Sequence, residues 1–193
     1  MSVTPPIPPP VTSPTAGHGT DRFQAGQSGL VVRIPAGEPA VRAWRERLDP
    51  SARAGVPAHV TVLFPFLDES RLDATVHAAL AGTVAAHPAF EVRFARCERF
   101  PGVLFLVPEP DLPFRRLTEA IVERWPEAPP FGGRFDDNVP HLTLAQHEDG
   151  AVLDEVEAGV GALLPVTARV ASVELLVHDG TAWQARASFP LLG

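Results

Sequence analysis

One short pattern occurs twice in this chain, and each copy lies within a run of apolar residues. The first copy reads VPAHVTVLFPF and contains His59 and Thr61, and the second reads VPHLTL and contains His141 and Thr143. In a β-strand successive side chains point to opposite faces, so the histidine and the threonine of each copy share one face. The apolar residues between and after them occupy the other face. The sequence therefore predicts two strands that each present an imidazole and a hydroxyl on one side.

His-x-Thr occurs a third time, at His18 and Thr20, but there it lies in a segment rich in glycine and proline with no apolar frame. We interpret this third occurrence as accidental. The two framed copies lie about half a domain apart, which is typical of an internal repeat. Strict alternation from His59 places Phe64 on the opposite face of the first strand, so we expect Phe64 in the core.

The pair HVTV and HLTL, with the PF that follows the first, resembles the two-histidine phosphoesterase superfamily. The resemblance is to the branch named after the 2'-5' RNA ligases, which includes RNA 2',3'-cyclic phosphodiesterases, and it covers most of the chain after about residue 26. It implies an α+β fold that is bilobal and pseudo-symmetric. Two antiparallel or mixed sheets, flanked by helices, would surround a central cleft to which each lobe contributes one His-x-Thr strand.

The composition is that of a soluble globular protein, with 45% hydrophobic and 20% charged residues. No apolar run approaches the ~18 to 20 residues that a bilayer requires, and the first residues lack the basic start of a signal peptide. The single cysteine, Cys97, cannot form an internal disulfide, which agrees with a reducing compartment. We therefore expect a cytoplasmic protein that does not associate with membranes, and we expect a monomer.

The charge limits the partners that the chain can bind. All 16 basic residues are arginine and the formal net charge is −7, so a long phosphate backbone would meet overall repulsion. This disfavours an extended nucleic-acid groove. A small cyclic phosphodiester or an RNA terminus needs only a local patch, so these remain the expected partners.

Hydrophobic periodicity and turn residues divide the chain into a tail and one domain. Residues 1–25 carry clustered proline, threonine, serine and glycine and are predicted to be a disordered tail. Residues 26–193 are predicted to form a single bilobal domain with the element order β-α-β-α-β-β-α-β-α-β-β. Two clear hairpins favour α+β over a doubly wound parallel sheet. The predicted ranges include a helix over 69–87 and a final hairpin that pairs a strand over 168–178 with one over 182–189.

Other kinds of site were tested against the same residues. A zinc site could draw on His59, His141, His147 and His178, although no HExxH or paired-cysteine spacing is present. A phosphate loop ending in GK[ST] is impossible without lysine, and the serine motif G-x-S-x-G is absent. Two paired imidazoles remain the best-supported chemistry, with neither a metal nor a cofactor expected.

Two histidines suit phosphodiester transfer because attack and departure occur on opposite sides of phosphorus, so one base and one acid are needed. With a pKa near ~6.5, one imidazole can be neutral while the other is protonated. The two threonines would donate hydrogen bonds to the non-bridging oxygens. The leading hypothesis is a metal-independent phosphodiesterase that opens 2',3'-cyclic phosphodiesters, with a possible reverse 2'-5' ligase reaction. The alternative is a non-catalytic module that binds nucleotides or RNA ends.

Substrate contacts are predicted from residue type and position alone. Phe66, Phe131 and Phe135 could stack on a base, although aromatic residues in an apolar chain more often pack in the core. Arg134, in the loop ahead of the second motif, and Arg33, in the strand expected beside the first, could each hold a phosphate or be an ordinary solvated arginine, and Arg134 is the preferred candidate. We predict His59, Thr61, His141 and Thr143 as catalytic residues and Arg134, Phe66 and Phe135 as substrate-binding residues.

Overall fold

A computed structural model describes residues 23–134 and 138–193. Within them the chain forms eight strands and five α-helices, joined by short 3-10 turns. The strands are β1 (Ser28–Arg33), β2 (His59–Leu63), β3 (Phe90–Phe100), β4 (Val103–Glu109), β5 (Leu142–Gln146), β6 (Val166–Val170), β7 (Ser172–His178) and β8 (Trp183–Pro190). The helices are α1 (Glu38–Leu48), α2 (Pro50–Arg53), α3 (Ala74–Ala85), α4 (Leu112–Arg124) and α5 (Gly150–Gly161).

The strands form two four-stranded sheets with the orders β2-β1-β7-β8 and β5-β4-β3-β6. All of the pairings within the sheets are antiparallel. The repeated motif is carried by β2 and β5. Each of these strands lies at an edge of its sheet, and the two strands contact one another. The motif strands therefore meet where the two sheets adjoin.

Each motif strand is also packed by a helix that belongs to the other half of the chain. Helix α1 lies between β1 and β2 in sequence but packs on β5, whereas α4 lies between β4 and β5 and packs on β2. On α4 the buried Thr118 hydroxyl donates to the Val62 carbonyl of β2 at 2.7 Å. This bond satisfies a backbone acceptor at the edge of the first sheet. The exchange of helices ties the halves together around β2 and β5.

One large apolar core contains residues from both sheets and from α1, α3, α4 and α5. A smaller cluster lies on the other face of the first sheet and is formed by Val31, Val56, Leu176 and Trp183. Leu30 and Val32 lie in the large core while Val31 lies in the small cluster, as alternation along β1 requires. The first sheet therefore carries apolar residues on both faces.

The predicted α+β architecture with two antiparallel sheets is confirmed. The prediction of one strand over 168–178 is wrong, because the chain passes from one sheet to the other at Ala171. Strand β6 pairs with β3, and β7 pairs with β1 and β8. The helix predicted over 69–87 begins later, at Ala74, because the Asp73 carboxylate accepts from the Val76 amide and caps it there.

The predicted tail, residues 1–25, lies outside the described residues except for its last three, so it stays a prediction. Phe23, one of those three, contacts the small cluster, with its ring centroid 5.3 Å from that of Trp183. Within the described ranges, no helix combines the length and the apolar character needed to cross a membrane.

Candidate active site

The two motif histidines are held in the same way. His59 opens β2 and its Nδ1 lies 2.8 Å from the carbonyl oxygen of Pro57, two residues upstream. His141 directly precedes β5 and its Nδ1 lies 2.7 Å from the carbonyl oxygen of Val139, again two residues upstream. A carbonyl can only accept, so each Nδ1 carries hydrogen and donates it. In the neutral ring Nε2 is then the nitrogen with a free lone pair, and it can take up or return a proton.

The two threonines occupy equivalent places one pleat along each strand. Thr61 pairs with Val31 of β1, and Thr143 pairs with Phe105 of β4. Both threonines are half-buried, as are both histidines, while the strand residue that follows each threonine is fully buried. The alternation predicted from sequence therefore holds over the His-x-Thr segment of both strands. We call the side of β2 and β5 that bears these four residues the site face.

A β-bulge follows the threonine in each motif strand. In the first sheet Val31 pairs with Thr61 but Leu30 pairs with Leu63, so one residue of β2 is extra. The same shift occurs in the second sheet at the equivalent place, just after Thr143. An extra residue reverses the order of inward and outward side chains beyond it. The residues that return to the site face are therefore the fifth after each histidine.

In the first strand that residue is Phe64, so the prediction that Phe64 lies in the core is wrong. Leu63 takes the core position, and Phe64 is half-buried on the other face, packed edge-on to Trp183 at 5.8 Å between centroids. Its ring lies directly over Gly29 of β1, where an added Cβ would meet Phe64 Cδ2 at 3.1 Å. An aromatic surface therefore lies beyond Thr61 on the site face.

In the second strand the bulge brings Gln146 to the corresponding position. Ala145 is fully buried in the core, and Gln146 is half-buried. Each motif thus presents a histidine, a threonine and one further side chain on the site face. The further side chain is an aromatic ring on the first strand and an amide on the second. The sequence did not predict that either residue lies on the site face, because an apolar run has the same pattern with or without a bulge.

His141 is enclosed by aromatic rings. Its centroid lies 5.3 Å from that of Phe100 and 5.3 Å from that of Phe105, and these two phenyl rings stack on each other at 4.3 Å. Phe105 is itself 1% exposed. Apolar rings cannot solvate an imidazolium, so burial lowers the pKa of His141, while the Val139 carbonyl and the Asp49 carboxylate act in the opposite direction.

Burial and the Arg45 guanidinium lower the pKa of His59 to about 4, against the opposing effects of the Pro57 carbonyl and Asp49. His141 also lowers the pKa of His59, so the two imidazoles are electrostatic neighbours. In both rings the neutral form is favoured. An anion bound between them would raise both pKa values, because it stabilises imidazolium.

Of the predicted substrate-binding residues, one is buried in the core and one is exposed. Phe66 lies in the large core, 7% exposed, with its ring edge-on to Trp125 at 5.3 Å, so the structure leaves it no face for a base. Arg134 is exposed at the end of the short helix Pro130–Gly133. That segment is joined to the end of β2, where the Phe131 amide donates to the Phe64 carbonyl at 2.6 Å. Phe135 and His18 lie outside the described residues.

The four histidines that a zinc site could have drawn on are not grouped together in the described residues. His178 is buried against Trp183 at 5.3 Å between centroids, and the exposed His147 accepts a hydrogen bond from the Asp149 amide. Throughout the described residues, no three or more His, Cys, Asp or Glu side chains are grouped in a way that could hold a metal ion.

A family model described as the 2'-5' RNA ligase superfamily matches residues 34–182. Comparison with curated proteins finds no match. Among solved structures, E. coli LigT in apo form is 18% identical with a TM-score of 0.56, covering 89% of this chain and 100% of that chain. E. coli LigT complexed with 3'-AMP is 18% identical with a TM-score of 0.54, covering 88% of this chain and 100% of that one. The protein TT0787 of Thermus thermophilus is 22% identical with a TM-score of 0.56, covering 86% of this chain and 98% of that one. At these identities the solved structures share the fold.

Proposed function

The chain belongs to the 2'-5' RNA ligase superfamily, and from this premise we propose that it is a metal-independent phosphodiesterase that opens 2',3'-cyclic phosphodiesters of nucleotides or RNA ends. The observation that carries the proposal is the matched pair of imidazoles. His59 and His141 each donate a hydrogen bond from Nδ1 to a main-chain carbonyl. They lie at the starts of adjoining strands, and His141 acts electrostatically on His59. Two such rings supply one base and one acid without help from a metal.

In the proposed reaction one neutral histidine accepts a proton from water through Nε2 as the water oxygen forms a bond to phosphorus. The bond between phosphorus and one ribose oxygen breaks, and the other histidine, protonated, gives its proton to that oxygen. The product is a ribose monophosphate with one free hydroxyl. Thr61 and Thr143 donate to the non-bridging oxygens, where charge accumulates. If a 5'-hydroxyl attacks in place of water, the same groups carry out ligation.

The likeness to LigT supports a small nucleotide as the ligand. The solved LigT structures include complexes with 3'-AMP, with NADP+ and with ATP. For this chain we propose a ligand of the same class, with the phosphate between the histidines and the base toward Phe64. The net charge of −7 agrees with a small anion or an RNA end rather than a long phosphate backbone.

A non-catalytic module that binds nucleotides or RNA ends is the second candidate. One observation favours it: burial lowers the pKa of both histidines and so disfavours the imidazolium that an acid requires. The two candidates differ in turnover. A module would bind a cyclic nucleotide without opening it, whereas an enzyme would protonate one ring on binding the anionic substrate.

The test is incubation of the purified protein with 2',3'-cyclic nucleotides and short RNAs ending in a cyclic phosphate, with EDTA present. We expect turnover that His59→Ala or His141→Ala lowers by ~10² to 10⁴-fold with much of the substrate affinity intact. The double variant should lose less than the sum of the two, because acid and base act in one displacement. The matched control is His147→Ala, which removes an exposed histidine elsewhere.

Replacement of Thr61 or Thr143 by alanine should cost ~2 to 4 kcal/mol in transition-state stabilisation if each removes one donor. Binding without turnover across the whole panel would favour the module. Activity that EDTA abolishes, or that survives His141→Ala unchanged, would refute the proposed chemistry.

A further inference from the structure

A carboxylate on helix α1 binds the backbone directly ahead of the first motif histidine. Glu38, the first residue of α1, is half-buried, and its Oε1 accepts a hydrogen bond from the Ala58 amide at 2.6 Å. That amide belongs to the same peptide unit as the Pro57 carbonyl, which accepts from His59 Nδ1 at 2.8 Å. A single peptide group therefore joins the Glu38 carboxylate to the His59 ring.

The peptide group makes this link stiff. A peptide unit is planar, so its N–H and C=O turn together, and in the trans form present here they point in opposite directions. Glu38 holds the N–H, and the Ile34 amide holds the next peptide by donating to the Ala58 carbonyl at 2.8 Å. The direction of the Pro57 carbonyl is therefore fixed. A carboxylate bound to the N–H also polarises the peptide, which makes the carbonyl oxygen a better acceptor.

The second motif histidine cannot have the same link. His141 donates to the Val139 carbonyl at 2.7 Å, but the peptide of that carbonyl ends at Pro140, which has no N–H for a carboxylate to bind. Support comes one peptide earlier, where Arg115 donates to the Asn138 carbonyl at 3.1 Å. The two rings are therefore held alike at Nδ1 but differently behind it, and His141 is an internal reference for any effect of Glu38.

We propose that Glu38 is a positioning residue for His59 that acts through the Pro57–Ala58 peptide to keep hydrogen on Nδ1 and the lone pair on Nε2. A neutral imidazole has two tautomers, and the one with hydrogen on Nε2 has no lone pair there. The need for that lone pair rests on the proposed function, in which Nε2 takes up or returns a proton. Because α1 packs on β5, the first histidine is held from the helix that covers the second motif strand.

The first test reads the tautomer and needs no substrate. Full-length protein labelled with ¹⁵N in the histidine rings is observed by NMR at pH 8, and signals are assigned with His59→Gln and His141→Gln. The two nitrogens of a neutral ring differ widely in chemical shift, so a small share of the minor tautomer is resolved. In Glu38→Ala the Nε2–H share of His59 should rise by about threefold or more, as weakening of one hydrogen bond predicts, while His141 should not change.

Two conservative variants separate contact from charge. Glu38→Gln loses the charge but keeps an oxygen of the same reach. Glu38→Asp keeps the charge, and with it the favourable interaction with the start of α1, on a side chain too short for the contact. We expect the Gln variant to retain the wild-type tautomer of His59 more fully than the Asp variant, which should resemble Glu38→Ala.

Three outcomes of the NMR test overturn the proposal. The first is an unchanged His59 tautomer in Glu38→Ala, which would leave Glu38 only the structural role of satisfying the buried Ala58 amide. The second is better retention in Glu38→Asp than in Glu38→Gln, which would mean that the charge acts without the contact. The third is an equal change in His59 and His141, which would indicate general loosening of the site.

The second test is steady-state kinetics with a 2',3'-cyclic nucleotide. Glu38→Ala should lower kcat by about tenfold with KM changed by less than about twofold, because the His59 ring is less often aligned with the proton that it transfers. Glu38→Gln should restore most of the lost kcat. The matched control is Glu46→Ala, which removes an exposed glutamate from the same helix and should leave kcat unchanged. A rise in KM with unchanged kcat overturns the positioning role. If the wild-type protein turns over no cyclic nucleotide, the proposed function fails, and the NMR test still decides whether Glu38 sets the tautomer of His59.

Discussion

Acidification should destabilise this protein through His59, and the size of the effect follows from its surroundings. Burial and Arg45 lower the pKa of the folded imidazole to about 4, whereas an unfolded histidine titrates near ~6.5. Between these values the unfolded chain binds a proton that the folded chain does not. The free energy of unfolding therefore has its full value above pH ~6.5 and decreases as the pH drops toward 4.

At pH 5 the linkage relation gives a loss of about 2 kcal/mol relative to pH 7.5 for His59 alone. His141 acts in the same direction, because burial also lowers its pKa. The loss is a large fraction of the ~5 to 15 kcal/mol that stabilises a typical domain. It should therefore be resolved by urea unfolding.

The assay is urea unfolding at pH 7.5, 6.0 and 5.0, followed by circular dichroism, for the wild type and for His59→Gln. The variant cannot bind the proton, so its loss between pH 7.5 and 5.0 should be smaller by about 2 kcal/mol. His147→Gln, at an exposed position, serves as the control and should behave as the wild type does. Equal pH dependence in the wild type and His59→Gln would refute the assignment of a depressed pKa to this ring.

Two further predictions concern stability at neutral pH, measured by the same unfolding. Thr118→Val removes the donor that binds the Val62 carbonyl across the two halves and should cost about 1 to 3 kcal/mol, while Thr118→Ser should retain most of that stability. Similar losses for both would contradict the role of the hydroxyl. Gly159→Ala would place a Cβ 2.7 Å from Trp44 Cζ2 and should cost about 1 to 3 kcal/mol. Gly82→Ala on α3 meets nothing within 4 Å and should instead be neutral or stabilising by up to about 1 kcal/mol, so equal effects at the two glycines would contradict the packing argument.

The repeated motif predicted the centre of the molecule because strand alternation is a strong constraint over a short segment. His59 and Thr61 share a face, and the residues that alternate with them are buried, as the apolar pattern required. The same holds for the second copy. The meeting of β2 and β5 at adjoining sheet edges came from the resemblance, since one sequence carries no record of which strands adjoin.

What followed the motif could not be predicted in the same way. A bulge adds one residue to one strand, and in the run Val62 to Phe64 every residue is apolar, so either register leaves a reasonable pattern. The change of sheet at Ala171 is hidden for a similar reason. The segments on both sides of it alternate as strands, and no glycine or proline separates them.

A buried ion pair on α1, Arg45 with Asp49, shows a further limit of predicting burial from the charged residues of a sequence. Arg42 with Glu46 and Arg45 with Asp49 have the same spacing on one helix, and each would be interpreted as a solvated surface pair. Only the second continues the stripe that begins at Val41, four residues earlier. That periodicity is the one signal in the sequence that could have indicated burial.

Because α1 packs on β5 and α4 packs on β2, docking of the two halves and assembly of the site are one event. Neither half holds both histidines, and each motif strand is an edge that the other half covers. The electrostatics of the site therefore depend on docking, because burial is the largest cause of the lowered pKa of both imidazoles.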